Sequence, residues 1–164
     1  DDFLDLWLMA NCYFAISTGS GVDMISFTHN VPVVYANYDL AQYMPIWSRS
    51  IIQPKKILNI KDNKILNLYE HLDFNISHIK KNNKYNILNY KYIDLNSEQI
   101  LDLVKEMHLR LNNKYDNKNS FYFQKKFFNK LKKFNLFNEY FSYINPEALM
   151  GTSFLENNKE WYDI

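Results

Sequence analysis

The stretch from Tyr13 to Tyr38, "YFAISTGSGVDMISFTHNVPVVYANY", constrains this chain more than any other. Two apolar runs, Tyr13–Ser17 and Val31–Ala36, bracket a segment of helical spacing from Val22 to Thr28. The turn Ser17-Thr18-Gly19-Ser20-Gly21 joins the first run to that segment. Short uninterrupted apolar runs bounded by turn residues are how strands buried on both faces read. Pro32 disfavours helix in the residue before it, so the helix stops near His29-Asn30. Strand, turn, helix, strand is a βαβ unit, whose strands run parallel and whose crossover is right-handed. Ahead of it, Phe3, Leu4, Leu6, Trp7, Leu8 and Met9 give Asp2–Cys12 a broad apolar face, and Asp1, Asp2 and Asp5 suit a helix N-terminus. The fold class is therefore α/β: a Rossmann-like parallel sheet with flanking helices.

Beyond this unit the pattern loosens. Asn37–Asn59 reads as a long connection carrying Pro45, Trp47, Arg49, Pro54, Lys55 and Lys56, and its apolar content predicts an ordered one. Asn67 caps a short helix, Leu68–Leu72, that contains Glu70 and His71, and Asp73–Asn89 reads as a polar helix end and loop. Tyr90–Asp94 alternates like a strand. Asn96 and Gln99 then form a capping box ahead of Ile100, Leu103, Val104, Met107 and Leu111 at helical spacing. Lys118–Tyr143 is an aromatic-rich helical segment with Phe121, Phe127, Phe128, Leu131, Phe134, Phe137 and Phe141. The end, "NPEALMGTSFLENNKEWYDI", is irregular but apolar enough to pack back. With 164 residues, 47% of them hydrophobic, one domain over residues 1–164 is expected, a core at 1–115 and a helical C-terminal extension at 116–164.

Charge and cysteine content narrow the function classes. Nineteen basic against 18 acidic residues leave a formal net charge of +1, so no whole-protein field draws the chain to nucleic acid. Cys12 is the single cysteine, which excludes an internal disulfide framework and a multi-cysteine zinc site. No apolar run approaches a membrane span and the start lacks a signal-peptide pattern, so a cytoplasmic protein is expected. The opening without Met, directly on a helical pattern, suggests a portion of a longer, two-domain protein. Lys125, Lys126, Lys130, Lys132 and Lys133 interleave with the aromatic stripe. Packing against core or partner explains that stripe, and so does peripheral contact with a lipid surface. Asn75-Ile76-Ser77 matches a glycosylation acceptor by chance, and His71 reads as a surface or packing residue.

The Gly-Ser-Gly turn carries the chemistry. A nucleophile elbow needs Gly-x-Ser-x-Gly, and Thr18 stands where Ser20 would need a glycine. As a phosphate cradle the turn lacks the P-loop lysine and the full Gly-x-Gly-x-x-Gly fingerprint. It does place the backbone N–H groups of a helix start above the sheet, with the hydroxyls of Thr18 and Ser20 beside them. A plain strand-to-helix turn accounts for the same residues. Asp23, just after the turn, is a candidate base or a first-turn acid favoured by the helix dipole.

The ordered series "LDLWLMANCYFAISTGSGVDMISFTHNVPVVYANY", "QPKKIL", "ILNLYEHL", "YIDLNSEQILDLVKEMHLRL" and "GTSFLENNKEW" spans nearly the full chain. It resembles the C-terminal region of a family of bacterial glycosyltransferases associated with surface-polysaccharide genes. In that family the first stretch reads as an apolar helix, a strand ending in Gly-Thr-x-Ser-Gly, a helix and a Pro-Val-x-x-x-Asn strand. The resemblance implies the C-terminal, donor-binding domain of a GT-B glycosyltransferase, which holds a nucleotide-sugar while an N-terminal domain faces it. Its residues carried over are Thr18, Gly19, Ser20, Gly21 and Val22 at the turn, Asn37 and Tyr38 at the second strand end, Lys55 for a donor phosphate and Glu70 for the ribose hydroxyls. Ser17 departs from the family pattern, which often has glycine there. A glycan or lipid-linked acceptor is implied, with no essential metal, no cofactor, and a catalytic base that the residues do not identify. Two other functions stay open: a non-catalytic Rossmann-like module for nucleotide or glycan, and a structural partner docking through its aromatic helix.

Overall fold

A computed structural model describes residues 2–39, 48–81, 89–133 and 145–163, without the side chains of 75–81. The elements in chain order are α1 (Asp2–Asn11), β1 (Ala15–Ser17), α2 (Asp23–Thr28), β2 (Val33–Tyr38), β3 (Ser50–Pro54), β4 (Lys56–Asn59), β5 (Lys64–Ile65), α3 (Leu68–Lys81), β6 (Tyr90–Ile93), α4 (Ser97–Leu111), α5 (Asn117–Lys132), β7 (Ala148–Met150), α6 (Thr152–Asn157) and α7 (Lys159–Tyr162).

The βαβ unit forms as read: β1 and β2 pair in parallel, Ala15 opposite Val33 and Ser17 opposite Tyr35. The sheet continues in parallel through β3 to β7, in the order β1-β2-β3-β7. Successive strand residues point to opposite faces, and both faces are covered. Val33, Tyr35, Ile52 and Met150 pack with Phe127, Leu131, Phe154, Leu155 and Tyr162 on one side. On the other, Val34, Ala36 and Ile51 pack with Leu103 and Met107 of α4. The result is an α/β layered sheet with flanking helices, compatible with a Rossmann-like arrangement.

The segment expected as one long connection holds β3, one of the two inner strands of the sheet. All of β3 is buried, and the Arg49 carbonyl accepts from the Val33 amide at its entry. Ser50 and Gln53 interrupt the apolar run, leaving only Ile51-Ile52 as a hydrophobic signal, too short to read as a strand. Pro45 and Trp47 lie outside the described residues. After β3 the chain turns into a second, antiparallel sheet, β5-β4-β6, with Ile57 opposite Tyr92. The Tyr90 strand thus belongs to this small sheet. Helix α3 continues to Lys81, well past Leu72, into the stretch expected as a polar helix end and loop. In the C-terminal stretch, expected to be irregular, Ala148–Met150 supplies the fourth parallel strand, again too short for a periodic signal. Phe134, Phe137 and Phe141 lie outside the described residues.

Two polar devices fix the helices around the sheet. Glu106, buried on α4, accepts from Arg110 Nε (2.9 Å) and Nη2 (2.7 Å), from Thr152 Oγ1 (2.7 Å) and from the Thr152 amide (2.8 Å). Arg110 also reaches Asn117 and Ser120 of α5. Carboxylate and guanidinium are thus each multiply bonded, the condition under which a buried ion pair is tolerated. Second, the Gln124 carboxamide of α5 bonds both backbone groups of Met150: Nε2 donates to its carbonyl (2.6 Å) and Oε1 accepts from its amide (3.0 Å).

Helix α1 reverses the usual arrangement. Phe3, Leu4, Leu6, Trp7 and Leu8 are all about half exposed or more, Phe3 at 73%, and none of its residues is buried. Among the described residues no helix is long and apolar enough to cross a membrane.

Candidate functional site

The carboxyl ends of β1, β2 and β3 lie side by side, and the segments leaving these three strands form the candidate site. At β1 the chain turns sharply through Gly19, whose φ of +91° is a left-handed value that side chains disfavour. A Cβ placed there would stand 2.6 Å from Cε2 of Tyr38, so the second reason for glycine is close approach by that ring. At β2 the pairing with β3 slips between Ala36 and Tyr38, and Asn37 takes a φ of +55°. Asparagine tolerates this conformation, and the bulge re-aims the next side chain, Tyr38, over the turn. Asn37 Oδ1 accepts from the Leu95 amide (2.6 Å), which ties the 94–96 segment to the same edge. The Lys55 amide donates to the Tyr38 carbonyl (3.0 Å) and brings the end of β3 alongside.

Inside the turn the hydrogen bonding differs from a fully open cradle. Ser17 Oγ accepts from the amides of Gly19 (3.0 Å) and Ser20 (3.4 Å) and donates to the buried carboxylate of Asp23 (2.8 Å). Those two amides are therefore satisfied within the chain. The Gly21 and Val22 amides have no partner among the described residues, and both residues are exposed. Ser17 is thus the organiser of the turn, and Asp23 is its anchor. The spacing of a serine six residues before an acid could have suggested this pair. Burial, and then the charge of Asp23 beside it, push the Tyr38 phenol up to about 12, so it stays a neutral hydroxyl over the working pH range. Tyr35 is raised for the same reasons, with its ring 5.3 Å from that of Tyr38.

The remaining sequence candidates are more committed to the fold. Lys55 Nζ pairs with Asp94 Oδ1 (3.0 Å) and lies 5.8 Å from the Tyr92 ring centre, while the Tyr92 hydroxyl donates to Asp39 (3.0 Å). Glu70 is not brought to this cluster by any contact among the described residues. Its carboxylate accepts from Lys64 Nζ (2.6 Å) and from the Asn67 amide (2.9 Å), and the Asn67 side chain accepts from the Glu70 amide in return. The Lys64 contact and that reciprocal cap hold its carboxyl below the usual range. His71 is fully buried behind Trp161, far from solvent chemistry.

Chemically, the edge offers two open amides, the hydroxyls of Thr18 and Ser20, an aromatic wall and one paired lysine. Such a set of donors, beside the carboxylates of Asp23, Asp39 and Asp94, suits a polyhydroxylated or anionic ligand held by hydrogen bonds. Compared with family models, with curated proteins and with solved structures, the chain matches none.

Proposed function

We propose that this chain is the donor-binding domain of a glycosyltransferase, holding a nucleotide-diphosphate sugar at the carboxyl edge of its parallel sheet. One observation carries the reading: three adjacent strand ends converge Thr18–Val22, Asn37–Tyr38 and Lys55, with Tyr38 seated on Gly19. Ligands of open parallel sheets bind outside the carboxyl ends of the strands. In this reading the Gly21 and Val22 amides donate to diphosphate oxygens, and Thr18 and Ser20 add hydroxyl donors. Lys55 exchanges Asp94 for a donor phosphate, an inexpensive exchange because Asp94 is exposed and their pairing is screened. A second domain would cover the apolar side of α1 and bring the glycan or lipid-linked acceptor with its base. Transfer then relies on donor dipoles and basic side chains to stabilise the departing diphosphate.

Asp23 is buried and bonded to Ser17. This favours a second reading, in which the same edge binds nucleotide or glycan without catalysing transfer. Calorimetry with UDP, GDP, ADP and their sugars tests the site. One nucleotide should bind saturably, and Gly21→Val or Ser20→Ala should weaken it by about tenfold, the loss of one good interaction. Absence of binding to every nucleotide would overturn the donor reading. Slow release of free sugar from a bound donor would separate transferase from binding module.

A further inference from the structure

Lys55 and Lys56 are chain neighbours whose ammonium groups go to different places. Lys55 meets a carboxylate, as do Lys64, Lys126 and Lys130. Among the described residues Lys56 Nζ meets the Asn158 carboxamide oxygen and the face of Phe154, 6.0 Å from its ring centre. Among the described residues no carboxylate is paired with it. It is also withdrawn from water, and that partial burial pulls it below the ordinary lysine range. A cation held in this way keeps part of its desolvation cost uncompensated.

The same ammonium stands on the wall of a cleft of about 720 Å³ between β4–β5 and the α6–α7 turn. Clefts that take small molecules have volumes of roughly 300–1,000 Å³. Lys159 and Asn157 line it with further N–H donors, Lys64 does so while paired with Glu70, and Glu156 and Glu160 supply the opposing charge. Both glutamates are exposed, so water and salt screen them, whereas the half-buried Lys56 is screened far less. Of the charged residues that line the cleft, Lys56 is thus the half-buried one, and Lys64, Lys159, Glu156 and Glu160 are exposed. None of the residues at the carboxyl edge of the parallel sheet lines it.

We propose that this cleft is a binding site for a phosphate-bearing small molecule, anchored on the Lys56 ammonium and separate from the strand-end site. The phosphate would give a charged acceptor to a cation whose hydrogen bond among the described residues goes to a neutral oxygen, with Lys159 and Asn157 donating beside it. The test is titration of the protein with inorganic phosphate at constant ionic strength, followed by phosphorus NMR line broadening and by thermal shift. Wild type should show saturable binding. Lys56→Gln should weaken it about tenfold, the scale of one charge-assisted contact. Lys56→Arg should retain it, and Lys61→Gln, which removes an exposed lysine of the β4–β5 turn, should leave it within about twofold. Far-UV circular dichroism checks that each variant is folded. No saturable phosphate binding by wild type, or equal binding by folded Lys56→Gln, overturns the proposal, as does binding lost in Gly21→Val instead. Nucleotide binding lost only in Gly21→Val would leave the donor reading standing, so the two fail separately.

Discussion

His71 sits at 0% exposure on α3 with both ring nitrogens lacking a partner among the described residues, its ring edge-on to Trp161 at 6.0 Å. Burial lowers its pKa from 6.5 to about 4. The unfolded chain therefore takes up a proton near pH 6.5 that the folded chain refuses until about pH 4. Stability from this residue is intact above about pH 6.5, falls as the pH drops, and levels off below about pH 4. Integrating proton uptake between those values gives a loss of about 2 kcal/mol by pH 5 and about 3 kcal/mol by pH 4. His71→Leu removes the titration and also the two orphaned nitrogens, so it should be neutral or stabilising near neutral pH. Urea unfolding of both proteins from about pH 7 to pH 4.5 isolates the effect, because every other titrating group cancels in the difference. The advantage of His71→Leu should grow by about 2–3 kcal/mol over that range. Parallel stability curves, or a gap that closes on acidification, would refute the assignment of a neutral, unpartnered imidazole.

Two further perturbations address the sheet and its site. Gly19→Ala forces a side chain into a left-handed backbone and against the Tyr38 ring, and should cost about 2 kcal/mol in urea unfolding while weakening nucleotide binding. Gln124→Leu keeps the bulk but strands both backbone groups of Met150, and should cost about 2–4 kcal/mol; an unchanged unfolding midpoint would show that water replaces the carboxamide.

The sequence reads well where hydrophobic pattern and turn chemistry agree. Val31-Pro32-Val33-Val34 and the Asn96–Gln99 cap point to their elements because apolar runs and capping boxes are local signals. β3 and β7 are hidden for the opposite reason: each is identified by its parallel neighbours rather than by its own few residues. At the site, Asn37 and Tyr38 are legible as strand-end residues, but the bulge that seats Tyr38 on Gly19 depends on contacts across strands. The pairing of Lys55 with Asp94, and the placement of Lys56 against a neutral carboxamide, are likewise set by which elements meet. Adjacent lysines look alike until the sheet turns them to different neighbours.

The carboxamide of Gln124 has a further consequence for how this sheet can be extended. It presents a donor and an acceptor spaced like a peptide group, so Met150 already has the hydrogen bonds that a fifth strand would bring. That margin is sealed by a side chain, and strand addition there would have to displace it. The opposite margin is β1, short and bordered by Ile16 at 56% exposure, and next to it in the chain comes the helix whose apolar residues face outward. Among the described residues growth of the sheet is thus directional: the β7 margin is closed by Gln124, and the β1 margin, which carries no such side-chain bond, is the one leading into the Thr18–Val22 turn.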